Sequence, residues 1–420
     1  MRVLIINTSE RTGGAAIAAN RLMDALCNNG IEAKMLVCEK QSNHNSVISL
    51  HKPITRFRKF VWERFIIWTI NLFSRKNLFT ISIANTGFKI TQRPEFLEAD
   101  IIHLHWINQG MLSLTNIQEI INTGKPIVWT MHDMWECTGI CHHAYTCNNF
   151  KSNCQNCPFL RFPKKNDLAH RVFIKKKKIF QQDALHFVAV SHWLGKQAIE
   201  STLLKGKKIQ VIPNTIDLSV FNIHNQNESR QALGLPEDKY ILLFGAARVD
   251  DPIKGFDILL KAIQYLLDKK IYTKENLHLV TFGTFKHPQE IIPQIPIAHK
   301  EMGWINNKQI MSQLYSAANI TLSTSLYETF GQTLIEAQAC GCPPISFGNS
   351  GQADIIVHKV NGYLAEYLSI ESLAEGIEWG LSKGKYIKRE ELRQNVFKKY
   401  SSTVIAKQYI KLYQEIIRQA

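Results

Sequence analysis

The fold of this chain is read most directly from the stretch Ile320-Thr-Leu-Ser-Thr-Ser-Leu-Tyr-Glu-Thr-Phe-Gly-Gln-Thr-Leu-Ile-Glu-Ala-Gln-Ala-Cys-Gly-Cys-Pro-Pro-Ile-Ser-Phe347. It begins and ends with short apolar runs, at 320–323 and 344–347, of the kind that forms buried strands. Between them, a turn at Gly331 leads into a segment with helical character. A strand, a helix and a second strand in this order are typical of a parallel α/β sheet.

The same alternation recurs along the whole chain, in two series. Predicted strands of the first series cover residues 2–7, 33–37, 99–106, 126–131 and 185–190, with a helix at 14–29. The second series has strands at 240–245, 278–283, 320–323 and 344–347. A chain of 420 residues is long enough for two such domains. We therefore predict an α/β protein with two Rossmann-like, doubly wound domains.

The predicted boundaries place the first domain at residues 1–213 and the second at 236–400. The stretch 214–235, which contains a polar run, is predicted to be a linker. The last segment, 401–420, is predicted to be a helix that packs back towards the first domain. Doubly wound sheets bind ligands at the carboxyl ends of their strands, so we expect the active site in a cleft where the two domains face each other.

Two carboxylates in the opening stretch are the strongest functional signal in the second domain. Glu328 precedes a Thr-Phe-Gly turn, and Glu336 lies in the helix that follows Gly331. Gly331 lets the backbone approach a ligand closely, and the start of a helix favours an anion. Carboxylates that hold hydroxyls on either side of a phosphate fit a nucleotide-sugar. The alternative is a carboxylate at a helix start and a surface helix residue, but a carboxylate in the apolar context of Glu336 needs a partner.

Two basic residues follow another predicted strand of the second domain. Arg248 and Lys254 come after the strand at 240–245 and belong at its ligand-binding edge. Both could bind a diphosphate and neutralise its charge as the leaving group departs. The alternative is that both are solvated residues of a loop. The neighbouring carboxylate segment favours ligand binding over this alternative.

The first domain has two candidate sites at predicted strand ends. Gly13 and Gly14 lie between the first strand and the first helix, where a turn of small residues can face a phosphate. His132 and Asp133 follow the strand at 126–131, where they could contact a sugar. An ordinary glycine turn and a capping aspartate beside a partly buried histidine are the alternatives.

Five of the nine cysteines lie within residues 137–157. Four of them have a spacing that suits a structural zinc ion bound by thiolates: Cys141, Cys147, Cys154 and Cys157. His142 or His143 could replace one ligand, and four thiolates would leave no open position for catalysis. Reduced cysteines without a metal remain the main alternative; disulfides are less favoured, since the chain begins with no secretory signal.

The positive charge of the chain is concentrated in its first half. The net charge is +15, and residues 1–213 hold 28 of the 50 Lys and Arg but 14 of the 35 Asp and Glu. Residues 54–76 combine large apolar side chains with basic ends, and Lys175–Lys178 forms a second basic run. This composition suits contact with an anionic membrane surface, although a core helix and a solvated charge run are the alternatives.

Several of these motifs together resemble a known family. Glu328 and Glu336, with the Ala-Gln-Ala-Cys-Gly-Cys-Pro that follows, resemble the signature of the family 4 retaining glycosyltransferases, which have the GT-B fold. Val211-Ile-Pro-Asn-Thr-Ile-Asp217 is similar to the interdomain region of that family. The motifs His103-Leu-His-Trp106 and Thr130-Met-His-Asp-Met-Trp135, with the cysteine cluster, resemble the branch that contains colanic acid biosynthesis glycosyltransferases.

The resemblance implies a role for each candidate residue. Glu336 would hold the nucleotide ribose, whereas Glu328 and the backbone of Phe330 and Gly331 would hold the hydroxyls of the donor sugar. A further set would hold the diphosphate: Arg248, Lys254 and the Gly13-Gly14 loop. His132 would contact the donor sugar near the reacting carbon. Catalysis would need no cofactor or divalent metal, and the anomeric configuration would be retained.

We therefore predict a retaining glycosyltransferase that moves a hexose-type sugar from a UDP- or GDP-sugar to a saccharide acceptor. The acceptor would be lipid-linked, as in cell-surface polysaccharide biosynthesis, and the protein cytoplasmic or peripheral at the inner face of the cytoplasmic membrane. A phosphorylase or a nucleotide-sugar epimerase of the same fold is the enzyme alternative. The basic charge alone would also suit a nucleic-acid-binding protein, but the chain has no nucleic-acid-binding motif, and we expect no nucleic-acid partner.

Overall fold

The computed structural model describes residues 1–419, which form two compact units. Unit 1 consists of Met1–Thr215 together with the chain from Ile405 onward, and unit 2 consists of Ile216–Val404. Each unit has its own sheet and its own hydrophobic core.

Unit 1 is built on a seven-stranded parallel sheet with the order β3-β2-β1-β4-β5-β6-β7. Its strands are β1 Arg2–Ile6, β2 Glu32–Val37, β3 Val47–Ser49, β4 Ile101–Leu104, β5 Ile127–Met131, β6 Leu185–Ala189 and β7 Ile209–Val211. Four of the five residues of β1 and all residues of β4 and β5 are buried, as strands covered on both faces require.

The α-helices in the first part of the chain are α1 Gly14–Cys27, α2 Pro53–Ile70, α3 Pro94–Glu98, α4 Leu114–Ile121, α5 Leu168–Phe180 and α6 His192–Glu200. The buried side of α1 carries apolar residues such as Leu22 and Leu26, which pack in the core of unit 1. In helix α5, the prediction of a basic run at Lys175–Lys178 needs one correction. Lys176 does not belong to an exposed basic run, because its side chain is fully buried while its neighbours in the run are exposed.

Unit 2 has a six-stranded parallel sheet with the order β10-β9-β8-β11-β12-β13. The strands are β8 Tyr240–Arg248, β9 Leu277–Thr284, β10 Ala298–Glu301, β11 Ile320–Ser323, β12 Pro344–Phe347 and β13 Tyr363–Ala365. Both sheets therefore reverse their strand order in the way that doubly wound folds do, between β1 and β4 in unit 1 and between β8 and β11 in unit 2.

The remaining α-helices are α7 Gln226–Ala232, α8 Phe256–Asp268, α9 Pro288–Ile291, α10 Lys308–Ala317, α11 Gln332–Ala339, α12 Ile370–Ser382, α13 Arg389–Tyr400 and α14 Ser402–Gln419. The predicted linker at 214–235 is not a linker over most of its length. Asn225 caps α7 with its side chain, and Arg230 of that helix donates to the Ala317 carbonyl of unit 2.

The last helix, α14, returns to unit 1. Its inward side places Ile405, Tyr409 and Tyr413 in the core that also contains residues of β1, β2 and α1. The Tyr409 hydroxyl hydrogen-bonds Thr130 at 2.9 Å, and the Tyr413 hydroxyl bonds Nδ1 of His103 at 2.7 Å. The C-terminal segment thus completes unit 1.

Over the described residues, 1–419, no helix is both long enough and apolar enough to cross a bilayer.

Candidate active site

In unit 2, Lys254 and Glu328 form an ion pair beside the point where the strand order reverses. Lys254 follows β8, Glu328 follows the neighbouring β11, and Lys254 Nζ lies 3.0 Å from Glu328 Oε2. Glu328 raises the pKa of Lys254. About a quarter to a third of each side chain is exposed, so a ligand can reach both.

Short contacts hold the loops that carry this pair. The Thr324 hydroxyl donates to the carbonyls of Lys254 and Gly255 at 2.9 and 2.8 Å. Gly255 has φ of +64°, and a Cβ there would lie 2.2 Å from the Thr324 carbonyl oxygen, so only glycine permits this approach. The Glu328 N–H donates to the Ser350 hydroxyl at 3.1 Å. These contacts position Lys254 and Glu328 without a ligand.

Arg248 is the last residue of β8 and is 44% exposed. Its guanidinium pairs with Asp251 at 2.9 Å and lies 3.7 Å from Asp250. Both cations that the sequence predicted for a diphosphate are thus on one edge of unit 2, and each is already paired with a carboxylate.

Glu336 is buried in the second turn of α11. The Tyr315 hydroxyl of α10 donates to Glu336 Oε2 at 3.1 Å. This hydrogen bond gives the buried carboxylate one partner, as its apolar sequence context requires. Gly331 caps α11 with φ of +109°, and Phe330 is buried before it. No pattern in the sequence marks Tyr315, because a single tyrosine at a buried helical position is ordinary.

In unit 1, His132 follows β5 and is half-buried. Its Nε2 lies 2.8 Å from Nδ1 of His105, which follows the neighbouring strand β4. Burial lowers the pKa of His132 to about 4, although Asp133 acts in the opposite direction. His105 is buried as well, so both imidazoles are neutral at pH 7 and share a single N–H between these two nitrogens.

Asp133, the neighbour of His132, is held by three groups. His142 Nδ1 lies 2.7 Å from Oδ2, Trp106 Nε1 donates to the same oxygen at 2.9 Å, and the Trp135 N–H donates to Oδ1 at 2.7 Å. Burial would raise the pKa of Asp133, but its contacts with His142 lower it to about 2. Asp133 therefore orients the segment around His132 and accepts no proton near neutral pH.

The Gly13-Gly14 turn lies between β1 and α1. Gly13 has φ of +91°, and a Cβ at this position would meet no described atom within 4 Å. The turn is therefore open in front of Gly13 and lies at the edge of the sheet where ligands bind. Its part in phosphate binding stays a prediction.

The four cysteines that the sequence predicted as zinc ligands line one small cavity in unit 1. His142 is not available as a replacement ligand, since its two ring nitrogens contact Asp133 and Ser82. Among residues 1–419, no group of three or more His, Cys, Asp or Glu side chains is already placed to hold a metal ion.

Two family profiles match this chain in succession. Residues 12–220 match the profile described as Glycosyltransferase Family 4, and residues 225–399 match Glycosyl transferases group 1. The chain belongs to the family 4 glycosyltransferases.

Relatives of this glycosyltransferase include a putative colanic acid biosynthesis glycosyl transferase, WcaC, of Escherichia coli strain K12. It is 22% identical over 99% of this chain and 100% of its own length. An uncharacterized glycosyltransferase of Methanocaldococcus jannaschii is 29% identical, over 49% of this chain and 54% of its own. The chain thus spans about half of one relative and all of the other.

Solved structures show that this glycosyltransferase has the GT-B fold. Sucrose-phosphate synthase from Thermosynechococcus elongatus superposes with a TM-score of 0.70, at 17% identity and over 100% of both chains. HepE from Anabaena, solved in complex with UDP and glucose, gives a TM-score of 0.64 at 16% identity, over 99% of both chains.

Proposed function

We propose that this glycosyltransferase transfers a hexose-type sugar, with retention of configuration, from a UDP- or GDP-sugar to a lipid-linked saccharide. The product would be a cell-surface polysaccharide. The observation that carries the proposal is the arrangement in unit 2, where Lys254, Glu328 and Arg248 lie together at the carboxyl edge of the sheet.

Each charged group there has a place in a nucleotide-sugar. Arg248 and Lys254 would exchange their carboxylate partners for the diphosphate, whose negative charge grows as the sugar departs. Glu328 and the backbone of Phe330 and Gly331 would accept or donate hydrogen bonds to sugar hydroxyls. Glu336 would bind the ribose while retaining its bond to Tyr315.

In unit 1, His132 is proposed to contact the donor sugar, and the Gly13-Gly14 turn to contact the diphosphate. A pKa of about 4 keeps the His132 imidazole neutral during catalysis. A neutral imidazole can exchange hydrogen bonds with a sugar hydroxyl, whereas an imidazolium could only donate. No cofactor or divalent metal is proposed for the transfer, because Arg248 and Lys254 would supply the positive charge that the diphosphate needs.

A membrane-linked acceptor is supported by helix α2, which buries two charged residues beside Ile67 and exposes large apolar side chains. The buried residues Glu63 and Arg64 bond to each other and to the backbone of 78–84. Its outward face exposes large side chains at helical spacing: Ile54, Phe57, Val61, Trp62 and Phe65. An apolar face with flanking arginines and lysines suits an anionic membrane surface.

The decisive experiment compares donor binding with sugar transfer. A thermal-shift panel of UDP- and GDP-sugars should identify one donor that raises the melting temperature, because a ligand at about 100 times its Kd stabilises by about 2.7 kcal/mol. Arg248→Ala and Glu336→Ala should each lose most of that shift. The matched control is Lys261→Ala, which removes an exposed cation of α8 that pairs with Asp257 in its own helix.

Transfer is then measured with the selected donor and a lipid-linked saccharide. Full transfer activity in both Arg248→Ala and Glu336→Ala would contradict the proposal. Analysis of the products separates it from the alternatives of the same fold. An epimerase would form a new free sugar and UDP without any acceptor, and a phosphorylase would need inorganic phosphate.

A further inference from the structure

We infer that the cysteine cluster of unit 1 is a structural zinc site, bound by Cys141, Cys147, Cys154 and Cys157. The inference is independent of the proposed transfer reaction, because metal content is measured without any substrate. The proposed ion would also affect the surroundings of His132, because the loop that it would fix carries His142, the partner of Asp133.

The first observation is the convergence of the four thiols. They line one cavity of about 10 Å³, which is close to the space that a single water molecule or ion needs. The rest of the lining is mainly apolar, with residues such as Ile140, Phe150 and Phe159. The other cysteines of the chain do not line this cavity. Four thiols that line one cavity are the ligand set that a closed zinc site needs once the sulfurs close on the ion.

The second observation is the backbone around the Cys154–Cys157 pair. Cys154 and Asn156 both have φ near +50°, so this Cys-x-x-Cys turn is tightly wound. The Gly139 N–H donates to Cys154 Sγ at 3.1 Å. A side chain at residue 139 would place its Cβ 2.6 Å from the Ala169 carbonyl oxygen, so only glycine brings this amide so close. Amide donors directed at sulfur stabilise thiolates.

The third observation is a buried amine beside the cluster. Lys176 Nζ donates to the carbonyls of Trp135 and Thr138 at 2.7 and 3.1 Å, and Thr138 lines the same cavity as the four cysteines. A zinc ion with four thiolates carries a net charge of −2, which costs free energy in an apolar interior unless a cation compensates it. The Lys176 amine is placed to supply one positive charge there when it is protonated.

Binding would proceed with a defined proton balance. One Zn²⁺ replaces the four thiol protons, which leave to solvent, and four Zn–S bonds form without oxidation or reduction. The sulfurs must close on the ion, since the described side chains are not already at ligand distances. The loop from residue 138 to 159 would then be fixed, and with it the position of His142.

The test is the zinc content of the full chain, purified without chelators or metal-affinity resin. We expect one zinc per chain by mass spectrometry, and the same amount released to a zinc dye after the thiols are blocked. Cys157→Ser should retain zinc at least about tenfold more weakly. The control is Cys27→Ser, which changes an exposed cysteine outside the cluster and should keep one zinc.

A second measurement covers the case in which Cys157→Ser does not fold. Wild-type protein exchanged with Co²⁺ should show the strong visible absorption of tetrahedral cobalt thiolate, which needs no variant. Wild-type protein with little zinc and all nine thiols reactive in denaturant would overturn the inference. Intact masses lower by two hydrogens for each cysteine pair would also overturn it, in favour of disulfides.

Discussion

At the scale of single residues, the Lys254–Glu328 pair joins groups assigned to two neighbouring parts of the proposed donor. One partner is assigned to the diphosphate and the other to the sugar, yet they bind each other at 3.0 Å. Donor binding must therefore separate a partly exposed ion pair, which costs little because such pairs contribute about 0–1 kcal/mol.

Changing either partner of this pair should have opposite effects on UDP binding. Glu328→Gln should lower the pKa of Lys254 towards its usual value, since Glu328 raises it, and should leave UDP affinity unchanged or higher. Transfer should still fall by about 10²-fold or more, because a sugar contact is lost. Lys254→Met should weaken UDP binding itself. Calorimetry with UDP and a transfer assay check both, and equal losses of UDP affinity in the two variants would contradict the assignment.

The buried histidines of unit 1 make a prediction about pH. Burial lowers the pKa of His103 to about 3 and that of His132 to about 4, whereas an unfolded histidine titrates near 6.5. Below pH 6.5 these histidines bind protons in the unfolded chain but stay neutral in the folded chain. Stability should therefore be complete above pH 6.5 and fall as the pH drops towards 4, by up to about 1.4 kcal/mol per pH unit for each histidine.

Hydrogen exchange in peptides from residues 101–131, followed between pH 6.5 and 4.5 and corrected for intrinsic exchange rates, measures this slope. His103→Gln should give a shallower slope by one proton, even though the loss of its bonds to Thr130 and Tyr413 lowers stability at every pH. The exposed His44→Gln is the control and should keep the wild-type slope. A wild-type stability that is flat over this range would show that these groups are not buried as neutral imidazoles.

At the scale of elements, the sequence predicted the central strands well and the edge strands poorly. The strands β1, β4, β5, β8 and β11 are short apolar runs, because each is covered on both faces. The edge strand β10 reads Ala-His-Lys-Glu and is largely exposed, so no apolar pattern marks it. The helix α7 was missed for a related reason: its residues are polar, and it is held to unit 2 by the hydrogen bonds of Arg230.

In the candidate site, the motif residues could be located from the sequence, but their hydrogen-bond partners could not. The places of Glu328, Glu336, Arg248 and Lys254 in the fold could be predicted, because their spacing relative to strands and turns is visible in the sequence. Their partners Tyr315, Thr324 and Ser350 could not, because each comes from an element whose position only the folded sheet determines. The spacing of His142 beside the cysteines predicts a possible zinc ligand, yet its ring bonds Asp133.

The exposed apolar face of helix α2 leads to a prediction at this scale. Phe57→Ser with Trp62→Ser should strongly reduce sedimentation with vesicles that contain anionic lipid, because two exposed aromatic side chains are removed from the proposed contact face. The double variant should fold normally, since the buried Glu63–Arg64 pair is untouched. A matched control is Tyr386→Ser, which changes an exposed aromatic residue of unit 2. Equal vesicle binding by the double variant and the wild type would rule out α2 as the contact.

At the scale of the whole molecule, the positive charge is concentrated in one part of the chain, whereas the fold of unit 1 needs residues from both ends of the chain. Nearly all of the +15 charge lies in residues 1–213, which suits the proposed task of unit 1 at an anionic surface. The fold of unit 1, however, is not contained in that part of the sequence. Helix α14 enters its core from the other end of the chain, so unit 1 is complete only after synthesis has passed through unit 2.

Truncation after residue 404 should therefore destabilise unit 1 and leave unit 2 folded. The lost helix contributes the buried side chains of Ile405, Tyr409, Tyr413 and Ile416 to the core of unit 1, and each large apolar side chain is worth about 1.5–3 kcal/mol when fully buried. Hydrogen exchange should show loss of protection in β1, β4 and β5, while β8 and β11 stay protected and UDP still raises the melting temperature of unit 2. Tyr413→Phe in the full chain is the milder counterpart, because it removes only the hydrogen bond to His103 and should cost about 1–3 kcal/mol. Unchanged protection of unit 1 in the truncated chain would mean that α14 is not part of its core.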